Sequence, residues 1–294
     1  MNAADGALLD AVRSLRWPAM RKAPAGLAGD HRSWMRGIST EFEDYRAYRP
    51  GDEVSKIDWK LLARRDRAYI RLSTEQTVLP TMIVLDASAS MAFPAATLEK
   101  WHFARHIAIG LASAAHTGRD PVGIAVATAH PGGHYLPART RRGIVHQILA
   151  LLTTVDPAGT PRLAPVFDAV ARQNPRARIA VVSDFLGDAD ELLNLATQRS
   201  AAGREVHVIH TIHTTEISPP TRPALVVDPE AAQLKRPLTD LSRLRYLENF
   251  GAWRERLARD WRMAGASYTE VVTGQGAAQA VQRVVRPPET GNRA

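Results

Sequence analysis

A short apolar run, Met82 to Leu85, ends abruptly in Asp86, Ser88 and Ser90. A run of this length that is closed by small polar residues is typical of a buried strand leading into a functional loop. The Asp-x-Ser-x-Ser pattern offers one carboxylate and two hydroxyls, so every side-chain donor is an oxygen atom. Such a set suits a hard divalent cation, Mg²⁺ or Mn²⁺, better than zinc. The loop after this strand is therefore the first candidate for a functional site.

Strand and helix patterns alternate from residue 81 onward. The strand patterns span residues 81–86, 121–128, 178–182, 206–212 and 267–272. The helix patterns span residues 97–117, 141–152, 161–173, 188–202, 239–264 and 277–285. This alternation predicts an α/β fold, a mostly parallel sheet with helices on both faces. Because ligands bind beyond the carboxyl ends of strands in such sheets, Asp86 and Asp184, which each close an apolar strand, are expected on the same rim.

The predicted organisation has four parts. Residues 1–37 hold a helix at 5–20 and a linker, and residues 38–80 form a small irregular module with a strand at 69–73. Residues 81–275 form the α/β domain, with a hairpin inserted at about 215–238, and residues 276–294 hold a final helix and a tail. In the module, aromatic residues alternate with charged ones, and we interpret these charges mainly as a structural network.

Helix-terminus signals accompany two of these helices. Thr97 is predicted to cap the helix at 97–117, and Gly118 to end it. Pro161 is predicted to open the helix at 161–173, directly after Thr160.

Composition restricts the remaining classes of function. The chain has no cysteine, which excludes disulfides and thiolate metal sites and favours a reducing, cytoplasmic compartment. No apolar run approaches 18 residues, so we expect no transmembrane helix. The net charge of +8 is spread along the chain without interleaved aromatics, which favours an arginine-rich surface over specific nucleic-acid binding. An acidic protein partner, or peripheral contact with an anionic membrane surface, fits this charge equally well.

Three separated segments can supply one metal site: Asp86 with Ser88 and Ser90, then Thr160, then Asp184. Two carboxylates nearly neutralise a divalent cation, and three hydroxyls fill further positions without adding charge. The metal would keep a position for water or an incoming carboxylate. For Thr160 an N-cap role before Pro161 fits equally well, and the two serines also fit turn or capping roles. The predicted set resembles the metal-ion-dependent adhesion site of von Willebrand factor A domains, where a partner's Asp or Glu completes the coordination shell.

The resemblance extends beyond the rim, because a distinctive module and the metal loop occur in the same order as in a known family. The residues that carry it are Phe42-x-x-Tyr45-Arg46-x-Tyr48-x-Pro50-Gly51-Asp52, Ile57-Asp58-Trp59, Leu85-Asp86-x-Ser88-x-Ser90-Met91 and Val182-Ser183-Asp184-Phe185. Over about residues 26–275 the chain resembles the domain of unknown function 58 family, with Ser55-Lys56 as a small departure. The resemblance implies a von Willebrand A-like fold. It also implies partnership with a MoxR-type AAA+ ATPase in chaperone-like assembly or maturation of protein complexes, including a client that presents a carboxylate.

The leading hypothesis is a non-enzymatic, metal-dependent protein-interaction module. The alternative is a Mg²⁺-dependent phosphotransferase or nuclease that uses Asp86. Such phosphotransferases usually place a lysine before the later aspartate, and no lysine stands near Asp184 in the sequence. A nuclease would need more clustered carboxylates, for which Asp188 is a distant candidate. No phosphate-binding Gly-x-x-x-x-Gly-Lys loop is present, and we interpret His102 and His106, four residues apart, as a solvated pair and not a zinc site.

Overall fold

The computed structural model describes residues 3–20, 42–50, 52, 54, 57–65, 67–73, 78–129, 134–187, 189–221, 224–227 and 235–286. The chain divides into two compact units, residues 1–22 with 79–294, and residues 23–78. The predicted linker at 21–37 and the tail after residue 286 lie outside the described residues. Within the described residues, every helix is too short or too polar to cross a bilayer.

The strands, in chain order, are β1 (Phe42–Ala47), β2 (Tyr69–Ser73), β3 (Thr81–Asp86), β4 (Val122–Ala127), β5 (His134–Arg139), β6 (Arg178–Ser183), β7 (Val206–Ile212), β8 (Ala224–Val227), β9 (Lys235–Leu238) and β10 (Ser267–Val272). The helices are α1 (Ala3–Val12), α2 (Trp59–Arg65), α3 (Glu99–Thr117), α4 (Ile144–Leu152), α5 (Leu163–Gln173), α6 (Ala189–Ala201), α7 (Thr214–Ile217), α8 (Asp240–Met263) and α9 (Ala277–Val285).

Six strands form the central sheet, in the order β10-β7-β6-β3-β4-β5. All neighbouring pairs are parallel except β4 with β5, which is antiparallel. The edge strand β5 approaches β4 closely at Gly123, where an added Cβ would lie 2.5 Å from the carbonyl oxygen of Leu136. Only glycine fits that contact. The mostly parallel sheet predicted from the alternation of patterns is confirmed.

Helices cover both faces of the sheet. Successive side chains of β3 point to opposite faces, so Ile83 and Leu85 belong to one apolar cluster and Met82 and Val84 to the other. The first cluster is closed by α1, α3, α4 and α9, and the second by α5, α6 and the last turns of α8. Because β3 is covered on both sides, its sequence is continuously apolar from Met82 to Leu85 and does not alternate.

Two predicted helix starts are wrong. Helix α3 begins at Glu99, after Leu98 with φ of 50°, so Thr97 does not cap it. Residues 94–97 form a turn instead, in which the Thr97 amide donates to the Pro94 carbonyl at 3.1 Å. Helix α5 begins at Leu163, so neither Thr160 nor Pro161 opens it. The predicted end of α3 at Gly118 is confirmed.

The N-terminal helix is also shorter than predicted, because the chain beyond it is held by the sheet. Helix α1 ends at Val12 and not near residue 20. The guanidinium of Arg178 is fully buried and donates to the carbonyl oxygens of Trp17 and Pro18, both at 3.1 Å. It also donates to Oδ2 of Asp120 at 3.0 Å.

The residues around Arg178 also bind the backbone at Met20 and Leu79, close to the two places where the unit of residues 1–22 and 79–294 is interrupted in the sequence. The Met20 amide donates to Oε1 of Glu205 at 2.7 Å. The Leu79 amide donates to Oδ1 of Asp120 at 2.9 Å. Glu205 lies 3.9 Å from the Arg178 guanidinium, so both points are tied to one buried cation.

The inserted hairpin and the long helix after it form as predicted. Strands β8 and β9 pair antiparallel, and residues 222–223 and 228–234 of the predicted insertion lie outside the described residues. Thr239 caps α8 by accepting from the Ser242 amide. The first half of α8 is not core, however, since Leu241 and Leu244 are 62% and 63% exposed.

In the unit of residues 23–78, β1 and β2 pair antiparallel, and β2 is the strand predicted at 69–73. Ile57 forms a bridge with Ile70 of β2. Asp58 Oδ1 accepts from the amides of Lys60 and Leu61 at the start of α2. Asp52 Oδ2 accepts from the Arg49 amide at 2.8 Å. These two carboxylates therefore bind backbone groups and stabilise local turns, in agreement with a structural role.

Candidate metal centre

Asp86 is the last residue of β3 and lies on the carboxyl rim of the sheet. Its Oδ1 accepts from the Ser88 amide at 2.9 Å, and its Oδ2 accepts from the Ser183 hydroxyl at 2.6 Å. Burial, together with the negative charge of Asp184, raises the pKa of Asp86 to about 7. A cation beside this carboxylate would favour its ionised form.

Ser88 and Ser90 are buried on the loop that follows Asp86. Their Oγ atoms lie 3.0 Å apart. A short 3₁₀ turn, Ala89–Ala92, begins after Ser88, but the Ser88 side chain does not cap it. The two hydroxyls therefore lie close enough to serve one ion, and a capping role for Ser88 is wrong.

Thr160 is brought to the same loop by backbone pairing. The Ala158 amide donates to the Ala87 carbonyl at 2.9 Å, and the Ala89 amide donates to the Gly159 carbonyl at 2.8 Å. Gly159 has φ of +64°, and an added Cβ would lie 2.8 Å from the Cβ of Ala129. Glycine is required there on both counts. Because these contacts hold the segment against the Asp86 loop, Thr160 stays outside α5 and the N-cap interpretation is wrong.

Asp184 follows β6 and is almost fully buried. Its Oδ2 accepts from Nζ of Lys100 at 2.9 Å, and the same ammonium donates to Oε1 of Glu216 at 2.8 Å. Burial disfavours the Lys100 ammonium, but the charges of Asp184 and Glu216 outweigh it and raise the pKa of Lys100. No lysine is close to Asp184 in the sequence, as stated above. In the folded chain, however, Lys100 contacts it directly, so the expectation that Asp184 has no lysine near it is wrong.

Lys100 is the residue of this region that the sequence reasoning missed. It lies on the first turn of α3, at a helical spacing shared with Ala104, Ile107 and Leu111, all of which are buried. A lysine in line with an apolar helix face signals a buried cation that needs carboxylate partners. That spacing could have identified it.

A cavity of about 320 Å³ opens in front of the rim. Asp86, Ser88 and Thr160 are among the residues that line it. Ser90 reaches this group through its contact with Ser88, and Asp184 acts on Asp86 through its charge while its carboxylate binds Lys100. The structure thus brings three of the five predicted ligands to one cavity, and the other two do not line it.

The donor set fits a hard divalent cation, since its members are carboxylate and hydroxyl oxygens. Within the described part of the chain, no group of three or more His, Cys, Asp or Glu side chains is suited to hold a metal. The candidate site therefore depends on the hydroxyls of Ser88, Ser90 and Thr160 as well as on carboxylates. Asp188, the distant candidate, lies outside the described residues.

The histidine pair on α3 is split between different contacts. His106 Nε2 lies 3.2 Å from Oδ1 of Asp5 on α1. His102 Nδ1 lies 3.4 Å from the guanidinium of Arg105. His102 is exposed, as a solvated pair predicts, but His106 is half-buried against Asp5, so the prediction is wrong for His106.

The sequence matches the family described as protein of unknown function DUF58 over residues 44–251. The chain belongs to the DUF58 family. The resemblance named from the sequence motifs is thereby confirmed for the family. The matched region contains all five predicted metal ligands, together with most of the module that precedes β3.

Relatives and solved structures give further points of comparison for this DUF58 protein. Uncharacterised proteins of Mycobacterium bovis and Mycobacterium tuberculosis are 32% identical over 220 residues, which cover 74% of this chain and 68% of theirs. The conserved hypothetical protein BatB from Bacteroides thetaiotaomicron is 15% identical, with a TM-score of 0.45 over 70% of this chain and 97% of that one. Manganese-loaded TRAP protein of Plasmodium vivax is 16% identical, with a TM-score of 0.35 over 45% and 56%. Proximal thread matrix protein 1 of the mussel byssus, with a zinc-occupied MIDAS motif, is 16% identical, with a TM-score of 0.37 over 46% and 38%.

Proposed function

We propose that this DUF58 protein is a metal-dependent protein-interaction module and not an enzyme. Asp86, Ser88, Ser90, Thr160 and Asp184 would hold Mg²⁺ or Mn²⁺, directly or through water. The observation that carries this proposal is that Asp86, Ser88 and Thr160, from two distant segments, line one cavity. When bound, the metal supplies a Lewis acid that accepts a carboxylate oxygen from another protein.

The charges around the cavity support recognition of an acid. Asp86 is accompanied at the cavity by the neutral hydroxyls of Ser88 and Thr160, and the Lys100 ammonium, shared with Glu216, offsets part of the charge of Asp184. A divalent cation held there keeps net positive charge, which attracts a further carboxylate. The chain as a whole carries a net charge of +8, which steers an acidic partner toward it.

Within this proposal the partner is a MoxR-type AAA+ ATPase, together with a client protein that presents a carboxylate. The pair acts in the cytoplasm, in chaperone-like assembly or maturation of protein complexes. Family membership supports this assignment, since the residues that carry the resemblance include the metal loop itself.

The test combines metal removal with Asp86→Asn. The asparagine keeps an oxygen for the Ser88 amide and removes the charge, so the fold is expected to persist. Mg²⁺ binding, measured by isothermal titration calorimetry, is expected to be lost in this variant. Retention of a MoxR-type ATPase from the same genome on the immobilised chain is expected to be lost in the variant and with EDTA.

Asp168→Asn, on the exposed surface of α5, is the matched control and is expected to change neither result. Equal retention of the ATPase under all conditions would contradict the mechanism. Turnover of a phosphate ester or nucleic acid that disappears in Asp86→Asn would instead support the alternative, a Mg²⁺-dependent phosphotransferase or nuclease.

A further inference from the structure

The two carboxylates of the candidate centre differ in their access to the cavity. Asp86 lines the cavity, and its two oxygens accept from neutral donors, the Ser88 amide and the Ser183 hydroxyl. Asp184 does not line the cavity, and its Oδ2 accepts from a cation, the ammonium of Lys100, at 2.9 Å. A metal ion in the cavity therefore meets the Asp86 carboxylate but not that of Asp184.

The Lys100 ammonium is held in place by two carboxylates that are themselves fixed. Its side chain is fully buried, and its second partner is Oε1 of Glu216 at 2.8 Å. Oε2 of Glu216 in turn accepts from the His213 amide at 2.6 Å, as part of the capping box of α7. Asp184 is bound on its other side, since its Oδ1 accepts from the Leu186 amide at 3.4 Å. An ammonium that left these carboxylates would lose its charge compensation inside the protein, so Lys100 stays on Asp184.

This arrangement changes the charge that a metal ion meets. Asp184 and Glu216 are both acidic, and the Lys100 ammonium offsets part of their negative charge. The charge of Asp184 reaches Asp86, since it helps to raise the pKa of Asp86. The ammonium beside Asp184 therefore also acts on any ion held at Asp86. A divalent cation there is neutralised only in part, by the single carboxylate of Asp86.

We propose that Lys100 keeps Asp184 out of the coordination shell of the metal, and so leaves the position that Asp184 could fill to a carboxylate of the partner. Lys100 is a positioning residue, because it acts on the metal through Asp184 and through its own charge. It lowers the affinity of the site for the metal alone and increases the positive charge that the bound metal presents. This inference rests on the proposed function, because it requires a metal at Asp86, Ser88 and Thr160.

The test removes the two charges singly and together in the full chain. The probe is Mn²⁺ alone, and its affinity is read by electron paramagnetic resonance. Lys100→Met leaves the Asp184 carboxylate without its cation, so the affinity is expected to rise by about tenfold or more. Asp184→Asn leaves the ammonium without this carboxylate, so the affinity is expected to fall by about tenfold or more. The double variant exchanges an ion pair for a neutral pair and is expected to stay within about threefold of the parent chain.

The double variant also guards against loss of the fold. Lys100→Met alone leaves buried carboxylates uncompensated, whereas replacing both members of a buried pair by neutral side chains is far less costly. Circular dichroism checks that each variant is folded, and the double variant decides the question if Lys100→Met is not. Lys60→Met, at an exposed lysine of α2, is the matched control for the loss of one positive charge. Because exposed charges are screened by salt, this control is expected to keep the parental affinity.

The outcomes separate this inference from the proposed function. If the double variant binds Mn²⁺ as weakly as Asp184→Asn, Asp184 is a direct ligand and the inference is overturned. A folded Lys100→Met chain that binds Mn²⁺ no more tightly than the parent would overturn it as well. Both results would leave the metal-dependent module standing. Failure of the parent chain to bind Mn²⁺ or Mg²⁺ would overturn the proposed function and this inference with it.

Discussion

Nζ of Lys100 lies 2.9 Å from Oδ2 of Asp184, although 84 positions separate the two residues in the chain. Both side chains are nearly inaccessible to solvent. The same ammonium binds Glu216 of α7 at 2.8 Å. One buried cation thus joins the start of α3, the end of β6 and α7 behind the candidate metal centre.

Replacing Lys100 by methionine tests this junction. Lys100→Met leaves two carboxylates without their cation, and removing one partner of a buried pair costs about 3–5 kcal/mol. The free energy of unfolding, measured in urea, is expected to fall by that amount. The double variant Lys100→Met with Glu216→Gln is expected to lose less than the sum of the two single changes, because the residues interact directly. Strict additivity would show that the ion pair contributes little.

Gly159→Ala is expected to disturb both stability and metal binding. A side chain on the left-handed backbone of residue 159 lowers the free energy of unfolding by about 1–2 kcal/mol. The new Cβ would also lie 2.8 Å from the Cβ of Ala129. Displacement of the segment would move Thr160 and weaken Mg²⁺ binding, which calorimetry would measure as about a tenfold loss of affinity. Gly143→Ala is the matched control, since Gly143 has φ of +84° with nothing within 4 Å of its added Cβ. Gly143→Ala is expected to lose only the stability that the left-handed backbone costs, and to keep its affinity for Mg²⁺. Equal effects of the two substitutions would contradict the argument that Gly159 is needed for close packing.

The free energy of unfolding is expected to fall at acid pH because His210 on β7 is buried in its neutral form. Burial lowers the pKa of His210 from 6.5 to about 3, so the unfolded chain binds one more proton between these values. The stabilisation is therefore complete above pH 6.5 and is lost as the pH falls toward 3, by up to about 1.4 kcal/mol per pH unit. His210→Gln, which retains a polar group near the Tyr268 hydroxyl, is expected to flatten the profile of unfolding free energy between pH 6.5 and 4.

The exposed His146 of α4 offers the control for loss of a histidine. His146→Gln is expected to leave that profile as in the parent chain. An unchanged slope in His210→Gln would assign the acid sensitivity to other groups, among them the buried His207, whose pKa burial also lowers.

Arg178→Lys is expected to destabilise the chain and release its N-terminal segment. The guanidinium donates to Thr81, Trp17, Pro18 and Asp120 from separate nitrogen atoms or directions, and one ammonium cannot reproduce that fork. We expect a loss of about 2–4 kcal/mol and faster protease cleavage near residues 17–20. Arg172→Lys on the exposed face of α5 should be neutral in both assays. Unchanged cleavage in Arg178→Lys would mean that the segment is held by other contacts.

The strands and the carboxyl rim of the sheet were predictable because the burial of each strand is visible in its own short stretch of sequence. Strands β3 and β6 are buried on both faces, so burial is visible as the uninterrupted apolar runs 82–85 and 179–182. The rule that parallel strands end at one rim then placed Asp86 and Asp184 together without further information. The family was identified from the same loop together with the module before it.

Contacts between distant segments were not predictable in the same way. From the sequence, Thr160 fits a helix N-cap and a metal ligand equally well. The N-cap interpretation is excluded only by the hydrogen bonds that residues 158 and 159 form with the Asp86 loop. The pattern at 239–264 predicted the helix but not the exposure of Leu241 and Leu244, because the buried residues of α8 are confined to its last turns. Lys100 reaches Asp184 from a helix whose start the capping signals misplaced by two residues.

The hydrogen bonds of Arg178 with Trp17, Pro18 and Asp120 have a consequence for the topology of the chain. Met20 and Leu79 are bound by Glu205 and Asp120, the two acids beside one guanidinium. The unit of residues 23–78 is therefore inserted in the sequence between Met20 and Leu79, two points that the sheet domain itself holds. Since closing a loop of n residues costs entropy that grows only slowly with n, this position tolerates large changes in the length of what is inserted. A unit of different length or fold can therefore stand between Met20 and Leu79 without a change in the sheet or its carboxyl rim.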